Sequence, residues 1–266
     1  MQSPIGVFDS GLGGLSVLRC LLAALPRESF VYVADSARAP YGDRPVAQVL
    51  EYSREIVEGL VGGEGCKAVV IACNTATAAA AKRLRAERPR TPIIGMEPAV
   101  KPAAAATRSG VIGVMATAGT IASAKYATLL SAYGEGARVI EDPCPGLVRL
   151  IEDGHLGGEV LRARLREIVA PMVDAGADVI VLGCTHFPLV IEEIRALAGP
   201  GVEVIDPAPA VARQVARVLR EGGLAAEGSP AGPSLRLLTS GDVGAFRQNV
   251  ARVLGEGVGA GPDGCR

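Results

Sequence analysis

The chain has 266 residues, room for one large or two ordinary domains, each with a proper core. Its 27 basic and 28 acidic side chains leave a formal net charge of −1, which gives no electrostatic reason to expect nucleic acid or a membrane surface as a partner. The arginines are scattered singly along amphipathic segments, no apolar run approaches transmembrane length, and the N-terminus enters a strand without a signal-peptide pattern. A soluble, cytoplasmic protein is expected, with its 6 cysteines as free thiols. With 2 histidines and no C-x-x-C spacing, a structural zinc site is not expected.

In chain order, an apolar strand over residues 4–9 leads through Ser10-Gly11-Leu12-Gly13-Gly14 into a helix reaching residue 25. The glycines do not complete a dinucleotide fingerprint, because Ser16 stands where the third small position should be glycine. A glycine-rich turn at a helix start still leaves N–H groups free for a carboxylate. A second strand covers 30–34, followed by the loop Ala39-Pro40-Tyr41-Gly42, then a helix over 44–62 and a strand over 67–72. An alanine-rich helix over 74–87 and a short strand over 91–95 close this half at Glu97-Pro98.

The second half opens with a strand over 111–115, a turn Thr117-Ala118-Gly119-Thr120 and a helix to about residue 132. A strand over 137–140, the turn Pro143-Cys144-Pro145-Gly146, a short helix over 147–153 and a long one over 157–175 follow. A strand over 178–182 then precedes Cys184, with a helix over 187–197 that carries Pro188 in its first turn. Residues 201–207 read as the crossover back to the first half, 207–221 as a helix, 222–234 as a loop, 235–239 as a strand and 241–254 as a last helix. The glycine-rich tail over 255–264 is expected to be disordered. Alternating strands and helices imply an α/β fold of parallel sheets. Two pseudo-symmetric α/β domains are expected, 1–98 plus 207–266 and 99–206, with an active site in the crevice between them.

The basis for two halves is a repeat. Val69-Val70-Ile71-Ala72-Cys73-Asn74-Thr75 and Ile180-Val181-Leu182-Gly183-Cys184-Thr185-His186 share one pattern about 110 residues apart. Ile5-Gly6-Val7-Phe8-Asp9 and Ile112-Gly113-Val114-Met115-Ala116 echo each other upstream of the two cysteines. Each of Cys73 and Cys184 is expected to end a buried strand and start a helix, where the helix N-terminus favours a thiolate. Read alone, either would be an ordinary core cysteine; recurrence at the equivalent point of a repeat points to function. His186 is expected near the Cys184 pocket. Cys20, Cys66 and Cys265 read as structural or incidental, Cys144 as packing and His155 as exposed and idle. Taken singly, Asp9 reads as a helix cap and Glu152 as a surface glutamate.

Two mirrored thiols suit inversion of a carbon centre through a carbanion. One removes a proton from one face and the other delivers a proton to the opposite face, whereas a single acid–base group returns it to the side it left. No cofactor signature accompanies them, so none is expected. A thiol hydrolase using Cys184 with His186 and an amino-acid-binding module are the competing readings.

The stretches Asp9-Ser10-Gly11-Leu12-Gly13-Gly14-Leu15-Ser16, Ala39-Pro40-Tyr41-Gly42, Cys73-Asn74-Thr75-Ala76, Ala116-Thr117-Ala118-Gly119-Thr120-Ile121, Leu150-Ile151-Glu152-Asp153-Gly154 and Leu182-Gly183-Cys184-Thr185-His186-Phe187-Pro188-Leu189 together resemble the glutamate racemases of the aspartate/glutamate racemase superfamily. The resemblance spans nearly the whole chain. It implies cofactor-independent interconversion of L- and D-glutamate for peptidoglycan, with Cys73 acting on the D- and Cys184 on the L-enantiomer. By the same resemblance Asp9 assists Cys73, and Glu152 and His186 assist Cys184. Substrate contacts are implied for Asp9, Ser10, Tyr41, Gly42, Asn74, Thr75, Thr117, Thr120, Thr185 and His186, and a homodimer is implied. Arg149, Thr77 and Ala78 depart from the usual family pattern, and the aspartate enzyme is the nearest rival.

Overall fold

The computed structural model describes residues 3–134, 136–227 and 233–256. Cys265 and most of the tail expected to be disordered lie outside the described residues. The chain begins with β1 (Ile5–Asp9), α1 (Leu15–Ala24), β2 (Phe30–Ala34), α2 (Val46–Glu58), β3 (Ala68–Ile71), α3 (Asn74–Glu87) and β4 (Ile93–Ile94). It continues with α4 (Val100–Ala106), β5 (Val111–Ala116), α5 (Ala118–Ile121), α6 (Ala124–Tyr133), β6 (Arg138–Asp142), α7 (Leu147–Glu152) and α8 (Glu159–Asp174). Then come β7 (Val179–Gly183), α9 (Ile191–Ala198), β8 (Glu203–Ile205), α10 (Ala208–Glu221), β9 (Leu235–Thr239) and α11 (Val243–Leu254).

These elements build two parallel sheets, ordered β4-β3-β1-β2-β9 and β6-β5-β7-β8. Written from the other edge, the second sheet reads β8-β7-β5-β6, the same order as β4-β3-β1-β2. The sequence echoes therefore correspond to equivalent strands, β1 with β5 and β3 with β7. By contacts the chain divides into two compact units, Met1–Met96 with Ala208–Arg266, and Glu97–Pro207.

In the first unit β1 and β3 are buried along their whole length, as strands covered by helices on both faces must be. Phe8, Val69 and Ile71 join Val57 and Leu60 of the α2 region and Leu84 of α3 in one cluster. Burial of each such side chain is worth about 1.5–3 kcal/mol. β9 pairs with β2 from Phe30↔Leu235 to Ala34↔Thr239, and Phe246 of α11 stacks on Tyr32 with ring centroids 6.2 Å apart. Lys67 and Glu28 form an ion pair at 2.6 Å with side chains 11% and 4% exposed, and Glu28 also accepts the Ala226 N–H. Removing one partner of such a pair leaves a buried charge, which costs about 3–5 kcal/mol.

In the second unit Val114 and Val181 of the central strands pack with Val100 of α4 and Tyr126 of α6. Asp178, at the foot of β7, accepts hydrogen bonds from Thr107 Oγ1 at 2.5 Å, Arg108 N at 2.7 Å and Ser109 N at 2.9 Å. Desolvation opposes the charge, but these donors outweigh it and hold the carboxyl well below the usual range. A depressed carboxyl contributes stability above its unfolded value near ~3.9, and that contribution is lost as pH falls through the folded value. Asp178→Asn is therefore expected to destabilise the protein by about 1 kcal/mol at pH 7. The gap to the parent should narrow below about pH 4 in thermal melts; a gap independent of pH would refute the pin.

Three local features depart from the sequence expectation. The pattern breaks at Glu97-Pro98 and no helix is expected before β5, yet α4 forms there. Its Pro102 is the third residue of the helix, where the missing N–H has no helical partner to lose. The helix expected after β5 is two helices, because Ser123 stops one and caps the next. Its Oγ donates to Thr120 O and accepts the Tyr126 N–H. The segment after Cys184 is a 3-10 turn over Phe187–Val190, with α9 starting only at Ile191.

Candidate active site

The Cys73 site is assembled at the ends of β1 and β3. Cys73 occupies the N-cap of α3 with extended backbone angles, and its Sγ accepts the Ala76 N–H at 3.4 Å. The thiol can donate to Ser10 Oγ at 3.9 Å. A cysteine replaces the usual cap oxygen here, so the sulfur sits over the free N–H groups of the first helical turn. Asp9 is fully buried, and its Oδ2 accepts the N–H groups of Gly11 at 3.1 Å and Gly14 at 3.0 Å. It thus holds the glycine turn together, although Gly14 and not Asp9 is the cap residue of α1. A Cβ on Gly14 would lie 2.6 Å from Asp9 Cβ and 2.8 Å from Tyr32 Oη, so only glycine lets the turn close over the carboxylate.

Asn74 and Thr75 follow Cys73 and are buried. Neither Nδ2 nor Oδ1 of Asn74 has a hydrogen-bond partner. A buried carboxamide left unpaired costs about 1–3 kcal/mol per group, so Asn74 has both donor and acceptor capacity to offer a polar group. Thr77 ties α3 to β3 and to the segment after β4, since its Oγ1 donates to Ile71 O and accepts the Met96 N–H. Tyr41 and Gly42 share a 3-10 turn, with Tyr41 buried beside Tyr52 and in the same cluster as Cys73. Its hydroxyl donates to Asp35 Oδ2 at 2.6 Å.

The Cys184 site is built differently. Cys184 follows β7 and does not begin an α-helix, which corrects the expectation that both cysteines enjoy a helix N-terminus. Pro188 and the tight 3-10 turn take the helix's place, and side chains support the sulfur instead. His186 Nδ1 lies 3.7 Å from Cys184 Sγ, and His186 Nε2 lies 2.6 Å from Glu152 Oε1. Burial lowers the imidazole's pKa, but the hydrogen bonds to Cys184 and Glu152 and their charges outweigh it, and the net direction is well above the ordinary value. A protonated ring donates at both nitrogens, to the sulfur on one side and the carboxylate on the other. Glu152, bland on sequence grounds, ends α7 and turns its carboxylate onto this ring with a side chain 20% exposed. Thr185 is buried beside the cysteine. Thr117 caps α5, its Oγ1 accepting the Thr120 N–H at 3.2 Å and lying 3.0 Å from Thr120 Oγ1.

Two of the remaining described cysteines sit in surroundings that oppose ionisation. Burial and Glu64 push the Cys66 thiol up to about 12. Burial, then Asp142 and Cys184, push Cys144 well above its ordinary value, while its Sγ donates to Asp142 O. Both stay protonated at neutral pH and are poor nucleophiles. Cys20 is half-buried on α1, and His155 is exposed. Among the described residues no His, Cys, Asp and Glu group is arranged to hold a metal ion, and no helix is long and apolar enough to cross a membrane. In the sequence Asp35 stands out only as the acidic residue that would complete a dinucleotide fingerprint whose glycines do not match. Its signal was available: an acidic residue directly after β2, at the same end of the sheet as Asp9 and Cys73.

Against known proteins, the description "Asp/Glu/Hydantoin racemase" matches residues 5–215. The chain belongs to the Asp/Glu/hydantoin racemase family. A glutamate racemase from Ectopseudomonas mendocina is 49% identical over 255 residues, 96% of each chain. Among solved structures of this family, a glutamate racemase isoform from Bacillus anthracis superposes with a TM-score of 0.84 at 34% identity, covering 95% of this chain and 94% of the other. A glutamate racemase from Francisella tularensis, solved in complex with D-glutamate, gives 0.82 at 30% identity with 95% and 94% covered. The α/β architecture of two parallel sheets is thus that of solved family members.

Proposed function

We propose that this chain interconverts L- and D-glutamate by a two-thiol mechanism and supplies D-glutamate for peptidoglycan synthesis. The observation that carries the reading is the matched placement of two buried thiols after the equivalent strands β3 and β7, each with its own proton-handling partners. The α-C–H bond of L-glutamate breaks as its proton moves to Cys184 Sγ and its electrons pass into the carboxylate-conjugated carbanion. Cys73 then gives its Sγ proton to the opposite face, and D-glutamate forms. The reverse reaction exchanges the two roles. The reaction requires both thiols to reach one α-carbon from opposite faces.

His186, held by Glu152, stabilises the Cys184 thiolate that takes the proton. Asp9 plays the assisting part beside Cys73. Ser10, Asn74, Thr75, Thr117, Thr120, Thr185 and the Tyr41-Gly42 turn bind the substrate with hydroxyls, amides and backbone N–H groups, so the two carboxylates need no arginine. No cofactor takes part in this scheme. The protein acts in the cytoplasm as a homodimer, which light scattering checks directly.

The deciding experiment follows α-proton exchange of L- and D-glutamate in deuterated water by NMR and circular dichroism, with no cofactor added. Deuterium entering the α-position together with loss of optical activity supports the proposal. The same experiment with aspartate addresses the nearest rival substrate. The Cys184-His186-Glu152 arrangement also fits a thiol hydrolase, a reading that leaves Cys73 and Asn74 idle; a covalent acyl-enzyme in mass spectra would favour it.

Asn74 supplies an independent check. Because its carboxamide is unpaired without ligand, Asn74→Ala should leave the ligand-free melting temperature unchanged or raised, against the usual loss for a buried truncation. The same variant should raise the KM for glutamate about tenfold. A destabilised variant with unchanged KM would show that Asn74 is structural.

A further inference from the structure

Asp35 is 3% exposed and meets two hydroxyls, Tyr41 Oη at Oδ2 (2.6 Å) and Ser240 Oγ at Oδ1 (2.7 Å). Its own N–H is donated to the carbonyl of Asp9 at 3.0 Å. Ser240 in turn accepts the Ala37 N–H at 3.1 Å and donates its N–H to Ala34 O, which locks the end of β9 against the loop that carries Asp35. Arg38 stands 3.7 Å from Oδ2 but turns its closer contact, 2.7 Å, to Glu55. A buried carboxylate between two donors is thus fixed at both oxygens, and it joins the C-terminal strand to Tyr41.

Tyr41 packs in the same buried cluster as Cys73. Burial comes first, then the Asp35 hydrogen bond and charge, and the charges of Cys73 and Asp9 add to push the phenol's pKa far above its ordinary value. A phenol near a thiolate or a carbanion is a competing acid, and a proton delivered by it would bypass the thiol. Here that proton already belongs to Asp35.

We propose that Asp35 is a positioning residue for the Cys73 half of the reaction: held by Ser240, it fixes Tyr41 against the Cys73 pocket and keeps the phenolic proton turned away from the thiol. This rests on the racemase reading for its kinetic consequence, though not for its geometry. Cys73 is left as the proton donor on its face, and the C-terminal segment becomes part of the machinery through one hydrogen bond.

The test is a mutant cycle read in two ways. Asp35→Ala should lower kcat/KM for glutamate about tenfold, Asp35→Asn, whose amide oxygen can still accept the phenolic proton, should recover most of it, and neither should matter once Tyr41→Phe has removed the hydroxyl. Independently of turnover, Asp35→Ala should speed iodoacetamide labelling of Cys73 several-fold, mapped by peptide mass spectrometry, with Cys184 as the unchanged control. Ser240 is exposed, so Ser240→Ala keeps the core intact and should move both readouts the same way by a smaller factor even if Asp35→Ala does not fold. Unchanged Cys73 labelling in the folded variants, or losses that simply add to that of Tyr41→Phe, would overturn the proposal. A parent that racemises neither glutamate nor aspartate would defeat the functional reading, while the labelling arm would still decide the role of Asp35.

Discussion

Cys73→Ala and Cys184→Ala are each expected to lower kcat for glutamate racemisation by roughly 10³-fold or more, with the far-ultraviolet circular dichroism spectrum unchanged. The size follows from the geometry of inversion: removing one thiol removes all proton traffic on one face. The remaining thiol can still take a proton from its own side and return one there. Cys73→Ala should therefore exchange the α-proton of L-glutamate with deuterated solvent while keeping its configuration, and Cys184→Ala should do the same with D-glutamate. Chiral chromatography combined with mass spectrometry reads both quantities in one sample. A single variant that racemises at the parental rate would show that one cysteine is a bystander. Exchange from the same enantiomer in both variants would contradict the assignment of faces.

The second large effect concerns His186. His186→Gln is expected to lower kcat about 10²-fold while leaving KM within a few-fold, because the ring acts on the sulfur. Its signature is pH dependence. The folded pKa of His186 is raised, so the stabilising proton is fully bound below the unfolded value near ~6.5 and is lost as pH rises through the folded value. The parent should lose stability progressively from pH ~6.5 up to the folded value, and activity as pH passes through the folded value. His186→Gln should flatten the stability limb, and Glu152→Gln should shift the limb toward lower pH by removing the carboxylate 2.6 Å from Nε2. A parent and a His186→Gln variant with parallel stability profiles would mean that the ring is neutral throughout.

Both thiols were legible in the sequence because the parallel strands bearing them are continuous apolar runs, and a run ending in Cys-polar-polar is conspicuous when it occurs twice. The support for each thiol was legible only in part. Cys73 followed by an alanine-rich segment announces a helix start, and the structure has one. Cys184 is followed by Thr-His-Phe-Pro, whose proline is compatible with the first turn of an α-helix, yet the backbone takes the tighter 3-10 path. Glu152 was indistinguishable from any surface glutamate, since its importance lies in where α7 points it, and that depends on the Gly146 turn with φ of +78°. Asp35 escaped for the same reason: its partners Tyr41 and Ser240 are 6 and 205 residues away, and no local pattern encodes such a pairing. Residue type at a strand end signals that chemistry is available; only tertiary structure says which group receives the proton.

The strand order of the first sheet also has a bearing on how the protein is made. β9 lies beside β2, although all of residues 97–207 is synthesised between the first unit's two segments. At ribosomal speeds of about 5–20 residues per second, that intervening stretch takes on the order of ten seconds to emerge. During this interval the second unit, continuous in sequence, can complete its own sheet. The first cannot, because β2 presents an unpaired edge and α1 an apolar face awaiting α10 and α11. Nascent chains at this stage carry a sheet that lacks only its last strand, β9, and the open flank of β2 invites pairing with a neighbouring chain. Protection by chaperones should matter most for chains that have released residue 207 but not residue 239, and premature termination in that window leaves an intact second unit tethered to an aggregation-prone remnant.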